Sequence, residues 1–301
     1  MSRSLYLFLV LLFCLTWSSA FPTAKLAIAV APPLLFLGAR FCVAAVLLLG
    51  WAAARGQLNR RIPWLTLFGL GLLNQAFYQG MAWFGMRSVS SGLATIITSL
   101  NPILIAAFAV PLLGERMTRH KLLGLALGFA GAAFVVRNRI VVSGEDPMGI
   151  VYLLIGLASL TAGTLLFKRL APAVSLPVAV GAQQAGAGMA LLAWGLSSER
   201  VADIQWGLQF WLAMAWFVVV VSIGAFLLWF LLLRRGTASA ASSLHFLMPP
   251  LGLLMSWAVL GEKLNPLDLL GVAPVALGIW LATRPDSRPA AATLSPAART
   301  G

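Results

Sequence analysis

Apolar stretches alternate with short polar breaks along almost the whole chain, and most of the stretches have the roughly 17 to 25 residues that a helix needs to cross a bilayer. The pattern predicts ten transmembrane helices. Their expected bounds are 5–27, 33–54, 64–85, 91–112, 120–137, 148–168, 177–196, 207–233, 238–259 and 266–283. Residues 285–301 are rich in proline, alanine and serine, which predicts a disordered tail.

The chain contains an internal duplication. Residues 93–137 align with residues 240–284 at a constant offset of 147, and 13 of the 45 aligned positions are identical. Each copy has the pattern of an apolar helix broken near its start by proline, a Leu-Gly-Glu turn, and a second helix with glycine at packing positions. Near the start of each half the offset is 143, where Gly38 aligns with Gly181. The repeated unit therefore has five helices.

A unit with an odd number of helices must enter the membrane in opposite orientations when it is repeated in tandem. This arrangement is an inverted-topology repeat, which places a binding site near the midplane between the halves. We expect residues 1–143 to form the first five-helix repeat, residues 144–284 the second, and residues 285–301 a cytoplasmic tail. The predicted fold class is an all-α polytopic membrane protein, with ten transmembrane helices as two inverted five-helix repeats around a central cavity.

Composition excludes a soluble globular protein, because 60% of the residues are hydrophobic, only 10% are charged, and the mean hydropathy is +0.93. The net charge of +13 does not indicate nucleic-acid binding, since the basic residues lie singly or in small groups between apolar stretches. The lipid bilayer is the expected partner. If the N-terminus is inside, the gaps between helices on the inner side of the membrane (the inner gaps) hold 14 of the 21 basic residues, and those on the outer side hold six of the eight acids. Both termini are therefore predicted to be cytoplasmic.

Several classes of chemistry have no support in the sequence. It contains no HExxH motif, no paired carboxylates, no Ser-His-Asp set and no phosphate-binding glycine loop, so we expect no catalytic residue and no enzyme activity. Cys14 and Cys42 lie in apolar stretches and indicate neither a disulfide nor a metal site, and no cofactor is expected. Arg40 is the one charged residue well inside a predicted helix. A phosphorylated solute would need several cationic side chains, so we do not expect a solute of this class. A small neutral or zwitterionic solute remains.

The two five-helix halves, each with Pro in the fourth helix, Leu-Gly-Glu and a glycine-patterned fifth helix, resemble the EamA domain of the drug/metabolite transporter superfamily. Trp17-Ser18-Ser19 and Lys25 in the first helix, and Arg40 in the second, also resemble that family's first half. The resemblance covers roughly residues 5–284. The second half departs from the pattern in two places: Leu160-Thr161 where Trp is more typical, and Pro249-Pro250 in place of one proline.

The resemblance implies a cavity surrounded by the third, fourth, eighth and ninth helices, with parts of the first and sixth. Within the superfamily, bacterial exporters of aromatic and other amino acids are the nearest kind. The implied function is export of small neutral or zwitterionic solutes, above all large neutral amino acids such as phenylalanine and methionine, by alternating access of a monomer in the bacterial inner membrane. The alternatives are an exporter of another neutral metabolite or drug, and a non-transporting membrane scaffold.

Polar side chains are costly inside a membrane, so they are candidates for the solute site. Thr98 and Asn101 lie one turn apart, and His245 aligns with Thr98 at the offset of 147. Tyr78 belongs to a polar stripe in the third helix, and Trp17 offers an aromatic wall. Each also has a structural interpretation: Asn101 in a kinked helix, His245 in packing, Tyr78 in helix association and Trp17 in an interfacial belt. The candidate substrate-binding residues are Trp17, Tyr78, Thr98, Asn101 and His245.

Three other charged residues have structural expectations. We expect Arg40 to donate to backbone carbonyls or to reach the membrane surface, with a substrate carboxylate as the alternative partner. Glu115 and Glu262 occupy matched corners between helices, where a carboxylate would accept donors at the start of the following helix.

Overall fold

A computed structural model of the chain describes residues 3–58, 61–113, 118–170, 173–235, 248–263 and 266–282. Within these residues the regular elements are ten long helices and one short 3-10 turn, Val201–Asp203. The unbroken helices are α1 (Arg3–Ile28), α2 (Pro33–Ala54), α5 (Arg119–Ser143), α6 (Pro147–Leu170), α7 (Leu176–Ser198), α9 (Met248–Leu260) and α10 (Pro266–Ala282). The segmented helices are α3 (Trp64–Gly71, Leu72–Phe77, Tyr78–Gly85), α4 (Ser91–Thr98, Asn101–Leu113) and α8 (Leu208–Ala215, Trp216–Ala225, Phe226–Arg235).

The helical membrane architecture predicted from the sequence is confirmed. Six helices in the described ranges are long and apolar enough to cross a membrane, judged by length and composition. Val46 and Leu208 on their outer faces are 71% and 75% exposed, as suits side chains that contact lipid tails rather than water. The predicted start of the ninth helix at 238 and the tail at 285–301 lie outside the described residues.

The fifth helix is longer than predicted. It continues past residue 137 to Ser143, so residues 138–143 belong to the helix and not to the following loop. The stretch from 137 to 143 contains no glycine or proline, and the helix stops only where Gly144 adopts a left-handed φ of 68°. This is the usual position of a terminating glycine, and hydrophobicity alone does not locate it.

Helix α4 is broken where the sequence predicts. Its first segment ends at Thr98, and the helix resumes at Asn101. Pro102 has no amide hydrogen for the carbonyl four residues earlier, and the backbone tightens there, with the Leu100 amide donating to Ile97 O at 3.1 Å. Discontinuous helices of this kind mark binding sites in many transporters.

Helices α3 and α8 each contain a π-helical stretch, which the sequence pattern does not predict. The stretch is Leu72–Phe77 in α3 and Trp216–Ala225 in α8. Since α3 and α8 are the third helices of their repeats, the two stretches occupy corresponding places. A π turn widens the helix locally and is frequent at functional sites.

The contact between α2 and α7 shows how the two halves are related. A Cβ atom added to Gly38 would lie 2.7 Å from the backbone nitrogen of Leu192, and one added to Gly181 would lie 2.9 Å from Cγ of Leu49. Gly38 and Gly181, like Leu49 and Leu192, are equivalent at the offset of 143. The two contacts are images of each other, and they join helices that run antiparallel.

The fifth helices of the repeats, α5 and α10, pack in the same reciprocal way. A Cβ on Gly131 would lie 2.6 Å from the carbonyl oxygen of Gly271, and one on Gly278 would lie 2.6 Å from that of Gly124. These residues exchange places at the offset of 147. Small residues thus let equivalent helices approach closely with opposite direction. The chain is an inverted repeat in three dimensions.

Candidate functional site

A narrow cavity lies inside the bundle between α1, α3 and α8. Its volume is about 30 Å³, enough for one or two water molecules. Its walls are mainly aromatic and aliphatic, and Tyr78 and Gln79 are the lining residues with polar side chains. The lining residues are Trp17, Ala20, Phe21, Tyr78, Gln79, Ala82, Trp83, Met86, Phe217 and Val221.

Two of the five residues predicted for the solute site line this cavity together. Trp17 in α1 is 5% exposed, and its ring packs on Phe226 of α8 with centroids 5.3 Å apart. Tyr78 directly follows the π stretch of α3 and is also 5% exposed. Its hydroxyl is hydrogen-bonded to the side chain of Thr98. Trp17 therefore belongs to the interior of the bundle and not to an interfacial belt.

Thr98 and Asn101 flank the break in α4 and are both buried, but neither is on the cavity wall. The Thr161 hydroxyl of α6 donates to Asn101 Oδ1 at 2.9 Å, so this amide ties the two repeats together. Thr161 belongs to the Leu160-Thr161 pair at which the second half departs from the resemblance described above. His245 lies outside the described residues, and its role stays a prediction.

The polar stripe of α3 serves two different neighbours. Asn74 Nδ2 donates to Gln183 Oε1 of α7 at 3.0 Å and so joins helices, whereas Tyr78 faces the cavity. Gln79 and Trp83, one turn apart on α3, also line the cavity, and sequence reasoning did not identify either as a site residue. Gln75, Gln79 and Trp83 are spaced four residues apart, so they lie on one face of α3. This spacing is the signal in the sequence that could have identified Gln79 and Trp83. Gln75 is buried without a hydrogen-bond partner in the described part of the chain.

The expectation for Arg40 is wrong. Its side chain is completely buried, and its Nη2 donates to the side-chain oxygen of Gln79 rather than to a backbone carbonyl. The guanidinium carbon lies 4.4 Å from the ring centroid of Phe41 and 4.3 Å from that of Phe217. Helices α3 and α8 cover this face of α2, so the side chain cannot extend to the membrane surface.

Glu262 has a structural role, as expected, but with a different partner. Its carboxylate accepts hydrogen bonds from the Ser91 amide at 2.9 Å, the Ser91 hydroxyl at 2.8 Å and the Gly92 amide at 3.1 Å. It therefore caps the start of α4 in the other repeat, not the start of the following helix α10. A carboxylate is favourable there because it satisfies free amides and faces the positive end of the helix dipole. Glu115 lies outside the described residues.

Other carboxylates cap helices in the same manner. Glu145 accepts from the Ser90 amide at 2.9 Å and from the Ser90 hydroxyl, beside the Glu262 contact. Glu199 accepts from the amides of Leu34 and Leu35 at 3.2 and 2.9 Å, at the start of α2. These contacts join segments distant in the sequence and hold one end of the bundle together.

Asp146 completes this group of acids in the loop between α5 and α6. The Ser88 hydroxyl donates to its carboxylate at 2.7 Å, and this bond lowers the pKa of Asp146. Among the residues that the structure describes, no group of three or more His, Cys, Asp or Glu side chains could hold a metal ion.

The EamA-like transporter family model matches the chain twice, over residues 4–137 and 147–284. The chain is 30% identical to the uncharacterized transporter YvbV of Bacillus subtilis, over 95% of the chain and 92% of that protein. It is 26% identical to the uncharacterized inner membrane transporter YedA of Escherichia coli, over 89% of the chain and 87% of that protein.

A crystal structure with 20% sequence identity has the same fold, with a TM-score of 0.70 over 94% of this chain and 97% of that one. The two family matches fall on the two halves that the reciprocal glycine contacts relate to each other. The family and these relatives are transporters and not enzymes. The chain is a multi-pass membrane protein and belongs to the EamA-like transporter family.

Proposed function

We propose that the protein exports large neutral amino acids, with phenylalanine and methionine as preferred substrates. The observation that carries the proposal is the cavity between α1, α3 and α8. Trp17, Trp83 and Phe217 are aromatic lining residues that suit a large apolar side chain, and Tyr78 and Gln79 are the lining residues with polar side chains that suit the polar end of the solute. A site with mostly apolar walls and a few polar groups suits a small solute of this kind.

Alternating access is the mechanism that this architecture supports best. The cavity of about 30 Å³ is far smaller than an amino acid, so its walls must separate before a solute can enter. Two of those walls are α3 and α8, the corresponding helices of the inverted repeats. Rocking of one repeat against the other would widen the cavity first toward one side of the membrane and then toward the other.

We further propose that the protein is a monomer in a bacterial inner membrane, with both termini in the cytoplasm. The basic residues concentrated in the inner gaps support this orientation. The capping carboxylates Glu145, Glu199 and Glu262 would then all lie at the outer end of the bundle. The division into repeats 1–143 and 144–284 with a tail at 285–301 belongs to the same proposal.

The test is a flux measurement on purified protein in proteoliposomes. Radiolabelled phenylalanine and methionine should move faster than in protein-free liposomes, whereas glutamate and lysine should not. If other neutral metabolites are transported and no amino acid is, the result favours the alternative of an exporter of another neutral metabolite or drug. The absence of flux for a wide panel of solutes would favour a scaffold and contradict the proposal.

Variants of the candidate site test where the solute binds. Tyr78→Ala and His245→Ala should each reduce phenylalanine flux several-fold, since a polar contact with the solute contributes on the order of 1 kcal/mol. Asn101→Ala should also reduce the flux, because it removes the hydrogen bond with Thr161 that joins the two repeats beside the break in α4. Tyr152→Ala is the matched control, because Tyr152 lies on α6 and is 37% exposed, away from the cavity. Parental flux from well-folded Tyr78→Ala protein would place the binding site elsewhere.

A further inference from the structure

Arg40 is a buried cation with an incomplete set of partners. Of its nitrogen donors, Nη2 bonds to Gln79, while Nε and Nη1 have no hydrogen-bond partner in the described part of the chain. The side chain has 0% exposure, so water does not solvate these donors from the protein surface. Aromatic faces attract the guanidinium but accept no conventional hydrogen bond from Nε or Nη1.

Among the residues that the structure describes, no carboxylate is hydrogen-bonded or ion-paired to Arg40. The sequence has no Asp or Glu in the middle of any predicted helix, and the described acids that cap helices lie at helix ends and loops. A charged side chain within a membrane is costly, and it ordinarily pairs with another group or marks a solute pathway. The described partners of the guanidinium are a neutral amide and three aromatic rings, and none of these is an anion.

Three side chains that contact Arg40 also line the cavity, those of Gln79, Trp83 and Phe217. Gln79 is the polar one of the three, and its side-chain oxygen accepts the hydrogen bond from the guanidinium. A rotation of the Gln79 side chain would free Nη2 beside a cavity whose other lining residues are mainly aromatic and aliphatic.

We propose that Arg40 binds the carboxylate of the transported solute, and that the guanidinium is hydrogen-bonded to Gln79 when no solute is bound. A planar guanidinium binds a carboxylate through two parallel hydrogen bonds, which a neutral amide cannot reproduce. The inference rests on the proposed function and narrows its substrate class. The solute must carry a free carboxylate beside an apolar or aromatic group, and the amides and amines of the same molecules are excluded.

The test compares ligands that differ only at the carboxylate. Hydrocinnamate and phenylalanine are measured against hydrocinnamamide and phenylalaninamide, as competitors of phenylalanine flux and as stabilisers in a thermal-shift assay. In the parent protein each amide should bind about tenfold or more weakly than its acid, because hydrogen bonds to charged groups are stronger than those to neutral ones. Equal binding of acid and amide overturns the inference without using any variant.

Three variants assign the discrimination to Arg40. Arg40→Gln should bring the acid-to-amide ratio close to one, whereas a purely structural arginine would change the amount of folded protein and leave the ratio unchanged. Gln79→Ala should keep or increase the ratio, and loss of the ratio in this variant would make Gln79 the carboxylate ligand and overturn the inference. Arg55→Gln is the control: it removes an arginine that stacks on Trp51 at the C-terminal end of α2, at an exposed position outside the cavity.

The two levels of the proposal fail in different ways. If neither phenylalanine nor hydrocinnamate is bound or moved, the proposed function is wrong and the role of Arg40 with it. If phenylalanine is exported but its amide competes equally well, the transporter stands as proposed and only the role of Arg40 is wrong.

Discussion

Replacement of Gly71 by alanine should destabilise the protein through one contact between backbones. A Cβ atom at this position would lie 2.0 Å from the carbonyl oxygen of Gln183 and 2.7 Å from its carbonyl carbon. All the nearest atoms belong to the backbone of α7, so no side chain can rotate away. The first segment of α3 would have to move by about 1 Å or more from α7, and it leads directly into the π stretch that precedes Tyr78.

The size of the effect follows from two opposing terms. Overpacking of a tight contact costs about 1–3 kcal/mol, and a backbone obstacle favours the upper end of that range. Alanine in place of glycine stabilises a helix by roughly 0.8–1 kcal/mol. Gly69, two residues earlier on the same helix, has nothing within 4 Å of an added Cβ, so Gly69→Ala gains the second term alone. The two variants should therefore differ by about 3 kcal/mol in the free energy of unfolding.

The measurement is the apparent melting temperature of detergent-purified protein, followed by the loss of the monomer peak in size-exclusion chromatography. About 3 kcal/mol corresponds to roughly 6 °C for a chain of this size. Gly71→Ala should melt below the parent, and Gly69→Ala at or above it. If the two variants melt together, α3 and α7 are not packed as closely as the structure indicates.

Three other perturbations test different parts of the structure. Glu262→Gln should lower stability by about 1–2 kcal/mol, because charge-assisted bonds to the start of α4 become neutral ones, whereas Lys263→Gln, an exposed neighbour, should change little in the same melting assay. The hydrogen bond from Ser88 lowers the pKa of Asp146, so the ionised carboxylate stabilises the folded protein at pH values above the pKa of the unfolded state. This contribution is lost as the pH falls through the pKa of the folded state. Asp146→Asn should therefore melt below the parent at neutral pH and together with it in acid. Single cysteines at Arg119 and Lys263, in a background without Cys14 and Cys42, should label with an impermeant reagent from opposite sides of the membrane, and labelling from one side would contradict the proposed orientation.

The features that could be predicted from the sequence are those encoded by periodicity within a single stretch. Helix positions follow from apolar length, the break in α4 from Pro102, and the inverted relation of the halves from the constant offsets and an odd number of helices. Tyr78 could be selected as a site candidate because polar side chains are costly within membrane helices, and it lines the cavity together with Trp17. These features can be read from the sequence without knowing which helices contact each other.

The features that could not be predicted depend on contacts between distant stretches. Glu262 caps α4 across 171 residues of sequence, and nothing in its own turn distinguishes that partner from the nearer α10. The sequence of α2 alone predicts that Arg40 donates to backbone carbonyls or reaches the membrane surface, but α3 and α8 enclose its side chain. The π stretches were missed since an apolar run has the same composition whether its helix is wound as α or as π.

The π stretches also bear on how the duplicated halves diverged. The offset between the halves grows from 143 in the second helix to 147 in the fourth. The second half is therefore four residues longer than the first between these two helices. The interval between α2 and α3 (55–63) has as many residues as that between α7 and α8 (199–207). The segments of α3, in contrast, have 8, 6 and 8 residues, and those of α8 have 8, 10 and 10. At least part of the added length therefore lies inside a membrane helix. A π turn absorbs an extra residue without rotating the helix beyond it, so an alignment of the two repeats should place its gap within Trp216–Ala225.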